Sequence, residues 1–339
     1  RGRRRLGGGP RLMVAHLGDT GATRWGFLGA GFIASRALAP AVHAADGAVL
    51  QAVAARDPQR AAALEPRTVH PTYQALVEDP DVDAVYISLT NEQHLPWTLA
   101  ALAAGKHVLC EKPLGLDGSE VRRMLDASAA AGRLLVEAGW YRWHPRTRRA
   151  EALVSGGASG QVTELEAAFR FGGVPAGNYR LDPSRGGGAW LDVGWYVCNA
   201  VAWAVPIPEG WAAGSAVRRA PGGVDLSVAT ELDHQSGVRT HLGAGIDDPE
   251  DQSLTITLSG GSVHLPRPDP FTSWHRPSSL TWVDAEGPHR EDFPAVDPYR
   301  LMVEQVGRRA RGHDDAWLMP ADESVRTVDL MDVVRASMG

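Results

Sequence analysis

Of the 34 Lys and Arg residues in this chain only two are lysine, Lys106 and Lys112. Arginine is a permanently charged planar fork, whereas lysine is a compact charge whose proton affinity can be tuned. A lysine kept in an arginine-rich chain is therefore a candidate for chemistry. Lys112 stands in Glu111-Lys112-Pro113, directly after the apolar run Val108-Leu109-Cys110. Lys106 has no such setting, and chance explains it equally well. Two further stretches carry residues that suit a reactive lysine. In Gly29-Ala30-Gly31-Phe32-Ile33-Ala34 the glycines let a backbone approach a pyrophosphate, whose charge the N-terminus of the next helix stabilises. In Gly186-Gly187-Gly188-Ala189-Trp190-Leu191-Asp192-Val193-Gly194-Trp195-Tyr196 a carboxylate and a phenol are four residues apart and share a helix face. Beside a Gly-rich loop such a pair suits proton transfer to a carbonyl. The plainer reading is a helix N-terminal Asp and a core Tyr.

These residues need elements to position them. Arg24 to Gly29 reads as a short buried strand, followed by a helix to about Ala45. Further strands are expected at 48–54, 84–89, 106–110 and 134–138, with helices at 95–104 and 117–131. Strands alternating with helices indicate βαβ units and a doubly wound parallel sheet. The glycine turn at 29–34 thus has the strand–turn–helix context that dinucleotide binding requires. After about residue 145 the pattern changes. Helices are expected at 145–155, 189–204, 298–311 and 322–337. Strands are expected at 162–171, 211–219, 225–233, 238–246, 253–259, 262–265 and 280–284, forming one open, mostly antiparallel sheet. The chain is accordingly α/β. It divides into a disordered tail (1–22), a dinucleotide-binding Rossmann domain (23–140) and a second α/β domain (141–339), to which the family resemblance set out below assigns substrate binding and oligomerisation.

The end of the second strand should read the adenosine ribose. Here the chain runs Ala54-Ala55-Arg56-Asp57. Ala55 occupies the position where NAD sites offer an acid, and an Arg nearby suits a 2′-phosphate. NADP is therefore preferred over NAD. In the competing reading Arg56 is solvated and Asp57 binds the ribose hydroxyls of NAD.

Composition sets the outer limits. With 339 residues, 44% hydrophobic and 22% charged, the chain has the make-up of a two-domain globular protein. A net charge of −6 carries no nucleic-acid footprint. No run reaches transmembrane length, and the two cysteines, Cys110 and Cys198, make no disulfide framework or metal cluster. A cytoplasmic protein without a metal site is expected. The basic run Arg1-Gly2-Arg3-Arg4-Arg5 lacks the apolar segment of an export signal, and Met13 is a plausible start.

Taken together, Gly29-x-Gly31-x-x-Ala34, the segment Ala103 to Pro113 and the segment Gly186 to Tyr196 resemble the glucose–fructose oxidoreductase / inositol dehydrogenase / MocA family. Asn91-x-x-His94, Tyr141-Arg142-Trp143-His144-Pro145 and Pro270-Phe271-Thr272 agree. The resemblance implies a Rossmann domain joined to an α/β domain whose open sheet mediates dimerisation, so a homo-dimer or tetramer is expected. It implies hydride transfer between a nicotinamide and a sugar, cyclitol or related carbonyl or secondary alcohol. It puts Lys112 close to the nicotinamide ribose and the reacting oxygen. Tyr196 ends its motif as in the branch that includes dimeric dihydrodiol dehydrogenase and sugar 3-ketoreductases. A free Tyr titrates near ~10, and a nearby ammonium lowers that value. Tyr196 is thus expected to act as acid or base, tuned by Lys112, with Asp192 orienting substrate hydroxyls. Cofactor contacts are expected from Gly29, Gly31, Phe32, Ile33, Arg56, Ser88, Leu89, Asn91, His94, Glu111, Lys112 and Pro113. Substrate contacts are expected from Tyr141, Arg180, Asp192 and Trp195. Trp140, Trp190 and Trp195 are candidates for stacking on a sugar face.

The chain also departs from the family pattern. Thr90 replaces the usual Pro before Asn91, the segment between Arg60 and Tyr73 is short, and Trp195 is bulky. His94 either lines the nicotinamide pocket or caps the following helix. Two other function classes fit the same motifs: a redox-neutral glycosidase with retained NAD, and a non-catalytic NAD(P)-binding regulator.

Overall fold

The computed structural model describes residues 21–157, 159–207 and 209–339. The expected disordered tail lies outside them except for its last two residues. The first half folds as a parallel sheet of β1 (Thr23–Leu28), β2 (Ala48–Ala54), β3 (Thr68–His70), β4 (Ala84–Ile87), β5 (His107–Cys110) and β6 (Leu135–Glu137). Their order is β3-β2-β1-β4-β5-β6. The order reverses between β1 and β4, and in open α/β sheets the ligand crevice lies at that switch point, outside the carboxyl ends of the strands. Gly29, Ser88 and Glu111 follow those ends directly, and Arg56 stands two residues after β2. β4 and β5 are buried at every residue, which is why they read as unbroken apolar runs.

The helices of this half are α1 (Ala39–Ala44), reached through a π-turn at Ala34–Leu38, then α2 (Pro58–Ala62), α3 (Tyr73–Val77), α4 (His94–Ala103) and α5 (Gly118–Ala131). Asp57, Thr72 and Asp117 cap α2, α3 and α5 through side-chain oxygens, satisfying amides that a helix start leaves orphaned. Gly132 ends α5 in the left-handed region, at φ 59°. β3, α2 and α3 are not among the expected elements. Each has five residues or fewer, too few to show a period.

In the second half α6 (Pro145–Ser155) leads to a sheet of eight strands. These are β7 (Val162–Arg170), β8 (Trp211–Arg219), β9 (Asp225–His234), β10 (Arg239–Gly245), β11 (Asp251–Leu258), β12 (Gly261–Leu265), β13 (Ser278–Asp284) and β14 (Gly287–Phe293). Their order is β14-β13-β12-β11-β7-β10-β9-β8. Only β7 and β10 pair in parallel, so the sheet is mostly antiparallel, as expected. Strict alternation on β11 marks one face as core. β14 was not foreseen, because its sequence, GPHREDF, is almost wholly polar.

α7 (Trp195–Ala204) continues a π-turn at Trp190–Gly194 and is buried at every residue. The last two helices, α8 (Pro298–Ala310) and α9 (Ala321–Ala336), bind the halves together. Thr23 donates its hydroxyl to the Gly307 carbonyl of α8 at 3.1 Å. Gly118 of α5 donates its amide to Asp332 of α9 at 2.8 Å. One apolar core runs through both halves as a result. Among the described residues no helix is long and apolar enough to cross a membrane.

Candidate active site

A cleft of about 1000 Å³ opens over the carboxyl ends of the parallel strands, between them and the start of α7. At one end, Gly29 turns the chain out of β1 with φ +99°. A Cβ there would sit 2.5 Å from the Ser88 carbonyl oxygen, so no other residue fits. A Cβ on Gly31 would meet nothing nearer than Ser88 at 3.9 Å. The space over Gly31 is open, as a dinucleotide pyrophosphate against a helix N-terminus requires. Phe32, Ile33, Ser88 and Leu89 line the same part, and Phe32 is 76% exposed.

Arg56 lines the cleft beyond β2, as expected. Asp57 does too, but its Oδ1 is committed to capping α2, accepting from the amides of Gln59 at 2.9 Å and Arg60 at 3.3 Å. That use weighs against Asp57 as the ribose ligand. The sequence reading missed Arg60 and Tyr73, which line the cleft beside Arg56. Arg60 sits on the first turn of α2 and Arg56 just before its cap, so no helical spacing pairs them in the sequence. The open space, the glycine turn and the paired arginines together fit a dinucleotide.

At the other end stand the three residues expected to do the chemistry. The Lys112 ammonium donates to the Asp192 backbone oxygen at 2.7 Å and to Asp192 Oδ1 at 3.3 Å. It lies 4.9 Å from the centre of the Tyr196 ring. Arg180 holds the same carboxylate, with Nε 2.6 Å from Oδ2. Burial alone would push the Asp192 carboxyl up, but the charges and hydrogen bonds of Lys112 and Arg180 outweigh it and hold the group below its usual range. Asp192 and Tyr196 both line the cleft, on the π-turn and on the first turn of α7.

Tyr196 departs from expectation in one respect. Its phenol is pushed well up rather than down, first by burial and then by the Glu111 carboxylate. The Lys112 ammonium, 4.9 Å from the ring centre and paired with Asp192, does not outweigh this, and the Asp192 charge adds to the rise. The Tyr196 oxygen accepts a 2.8 Å hydrogen bond from the indole of Trp140, whose ring stacks on Tyr299. Trp140 and Tyr299 both line the cleft, and Tyr299 was not anticipated. Glu111 is held by the Tyr86 hydroxyl at 2.6 Å, and burial pushes its carboxyl up.

Other expected contacts are engaged within the protein. Asn91 lines the cleft, but its amide donates to the Gly186 carbonyl at 2.7 Å and so ties the Gly-rich loop to the Rossmann half. The glycines of that loop serve its own tight turn: a Cβ on Gly187 would lie 2.7 Å from three carbonyl oxygens of residues 179, 180 and 182. His94 is fully buried outside the cleft, its ring nitrogens against the carbonyls of Pro113 at 2.8 Å and Leu89 at 3.3 Å. Pro113 is likewise buried and does not line the cleft. Tyr141 and Trp195, expected to touch substrate, are each 1% exposed and lie behind the cleft. The Tyr141 hydroxyl donates to Asn199 at 2.6 Å, and the Trp195 indole donates to Glu137 at 2.7 Å. Trp190 is buried too, its indole on the Met331 carbonyl at 3.1 Å. Lys106 donates to the carbonyls of Asp79 and Val82, at 2.6 and 2.8 Å, so the second lysine closes the turn before β4.

Comparison with known proteins agrees with this geometry. Residues 23–138 match the GFO/IDH/MocA oxidoreductase family with its NAD-binding Rossmann fold, and residues 147–264 match a C-terminal domain of the same family. The chain is 32% identical to D-xylose 1-dehydrogenase (NADP(+)) 2 of Haloferax volcanii over 92% of its length and 96% of the relative's. It is 33% identical to a dTDP-3,4-didehydro-2,6-dideoxy-alpha-D-glucose 3-reductase of Streptomyces antibioticus over the same shares. The crystal structure of a 3-ketoreductase from Actinomadura kijaniata, in complex with NADP and TDP-benzene, superposes with a TM-score of 0.82 at 28% identity, covering 94% of this chain and 98% of that one. The Rossmann crevice, the lysine–aspartate–tyrosine cluster and these full-length likenesses agree, and the chain belongs to the GFO/IDH/MocA oxidoreductase family.

Proposed function

We propose that this protein is an NADP-preferring reductase or dehydrogenase acting on a sugar carbonyl or the corresponding secondary alcohol. The observation that carries this reading is the cluster of Lys112, Asp192 and Tyr196 in one cleft that also reaches Arg56. When bound, the nicotinamide supplies or accepts the hydride. The chain's own residues handle the proton. Tyr196, kept protonated by burial, gives its proton to the carbonyl oxygen during reduction; in reverse it must first lose that proton to solvent, and the phenolate then takes one from the alcohol. Lys112 can offer its third N–H to the same oxygen, since two are spent on Asp192. Asp192 Oδ2 carries one bond, from Arg180, which leaves a lone pair for a sugar hydroxyl.

NADP is favoured by Arg56 and Arg60 together, with Asp57 occupied as a helix cap. Sugars are favoured because the xylose dehydrogenase and the 3-reductase above act on them. We place the enzyme in the cytoplasm, where free buried thiols such as Cys110 and Cys198 stay reduced. We further infer a homo-dimer or tetramer built on the outer face of the eight-stranded sheet, around Glu166, Glu231 and His241. Light scattering of the purified chain reads that assembly directly.

The test of the function is a fluorescence titration with NADPH and NADH on wild type and Arg56→Ala. Tighter NADPH binding that is lost in the variant supports the reading. Equal or tighter NADH binding, or cofactor that copurifies and does not exchange, contradicts it.

A further inference from the structure

Glu137 ends β6 below the floor of the cleft and is 4% exposed. Its Oε1 accepts two hydrogen bonds of 2.7 Å, from the backbone amide of Leu114 and from the indole of Trp195. Leu114 stands two residues after Lys112, and Trp195 immediately precedes Tyr196. One carboxylate oxygen is therefore the common anchor of the two segments that carry the reacting lysine and phenol. The indole is confined on its other sides. A Cβ on Gly139 would come within 2.5 Å of the Trp195 ring, and the Tyr196 ring meets it edge-on at 5.2 Å. The Lys112 segment is held from the opposite side by His94 on the Pro113 carbonyl.

We propose that Glu137 is a positioning residue: through the Leu114 amide and the Trp195 indole it sets the separation of Lys112 and Tyr196. This rests on the reductase reading above. A hydrocarbon at 137 leaves two buried donors without an acceptor, a state that proteins relieve by moving the donors. Glutamine keeps an acceptor oxygen in the same place. The groups facing Glu137 are Ser324 and Glu323 of α9 and Cys110 of β5, and Glu323 is already paired with Arg142. Burial, opposed by the hydrogen bonds it receives, brings the Glu137 carboxyl up to about 7. Its charge state can therefore be read near neutrality.

The test uses the full chain as wild type, E137Q, E137L and W195F, with the tryptophan indoles labelled with 15N. W195F identifies the Trp195 N–H resonance. In wild type that resonance should move with pH in one step near neutrality, and the step should be absent in E137Q. Turnover of a keto-sugar should fall about 100-fold in E137L, the scale of a small misplacement of reacting groups, and recover to within about threefold in E137Q. The NADPH dissociation constant should stay within about threefold of wild type in every variant. A Trp195 resonance indifferent to Glu137, or an E137L enzyme with wild-type turnover, overturns the proposal. If E137L does not fold, W195F, which removes only one donor, should still lose about tenfold in turnover, and wild-type turnover in W195F overturns the proposal equally. If wild type reduces no sugar at all, the reductase reading fails. The pH step, and its loss in E137Q, would then still support Glu137 as the anchor of Trp195.

Discussion

Lys112 and Asp192 are joined twice, through the backbone oxygen at 2.7 Å and the carboxylate at 3.3 Å. The double contact fixes the ammonium at the π-turn that opens α7, one turn before Tyr196. A planar guanidinium cannot reproduce it, because it spreads its donors over a wider fork. Lys112→Met should therefore lower kcat by at least about 100-fold, and Lys112→Arg should restore little of it. NADPH affinity should change much less. Steady-state kinetics beside a binding titration separate the two effects.

The buried phenol makes a directional prediction about pH. Because its proton is held more tightly than in free tyrosine, Tyr196 stays an acid across the neutral range. Reduction should not decline between about pH 6 and 9 through loss of this proton, while oxidation of the alcohol should speed up as pH rises. Tyr196→Phe should cost about 10²–10⁴ in kcat in both directions and flatten the oxidation profile. It also leaves the Trp140 indole without its acceptor. A fall in stability of about 1–3 kcal/mol follows for that buried donor, measurable by denaturant unfolding.

Arg60 was found only in the structure, and its role can be separated from that of Arg56. Each Arg→Ala change should weaken NADPH binding, by about 1.5–3 kcal/mol for a charged hydrogen bond lost, while NADH binding stays as it was. The double variant should bind both cofactors alike. Titrations of the four proteins with the two nucleotides check this.

Tyr141 lies behind α7, in a network with Asn199, Glu323 and Arg142. Tyr141→Phe should therefore act on stability and not on recognition. The expected loss is about 1–3 kcal/mol, from an acceptor on Asn199 and a partner for the Trp203 indole. KM for the sugar should be unchanged, in contrast with Arg180→Ala, which releases Asp192 in the cleft.

Glu137 also predicts a pH dependence of stability. Its folded-state value is raised above that of an exposed carboxyl. Its contribution is thus fully present below the unfolded value and is lost as pH rises through about 7. The melting temperature of E137Q relative to wild type should therefore climb between about pH 4.5 and 7 and level off above.

The sequence revealed the elements that are long or carry a period, and the motifs that sit where strands meet helices. β2, α6 and β8 have the bounds expected of them. β3, α2 and α3 were invisible for want of length, and β14 because an edge strand on a polar face needs no apolar residues. At the site, motif and context lead to Lys112, Asp192, Tyr196 and Arg56, and all four line one cleft. Tyr141 and Trp195 could not be placed, since a large aromatic beside a cleft reads the same whether it faces in or out. Their facing is fixed by Asn199 and Glu137, which are distant in sequence. Tyr299 reaches the cleft from α8 by tertiary packing alone.

The most direct test of the account follows the hydride itself. NADPH carrying deuterium at the transferable position would be incubated with a panel of keto-sugars, and the products read by mass spectrometry and NMR. The account predicts one deuterium at the former carbonyl carbon with wild type. It predicts transfer at least about 100-fold slower with Tyr196→Phe at unchanged NADPH affinity. Deuterium that stays on the nicotinamide with every sugar, or a Tyr196→Phe enzyme that transfers it at the wild-type rate, would contradict it.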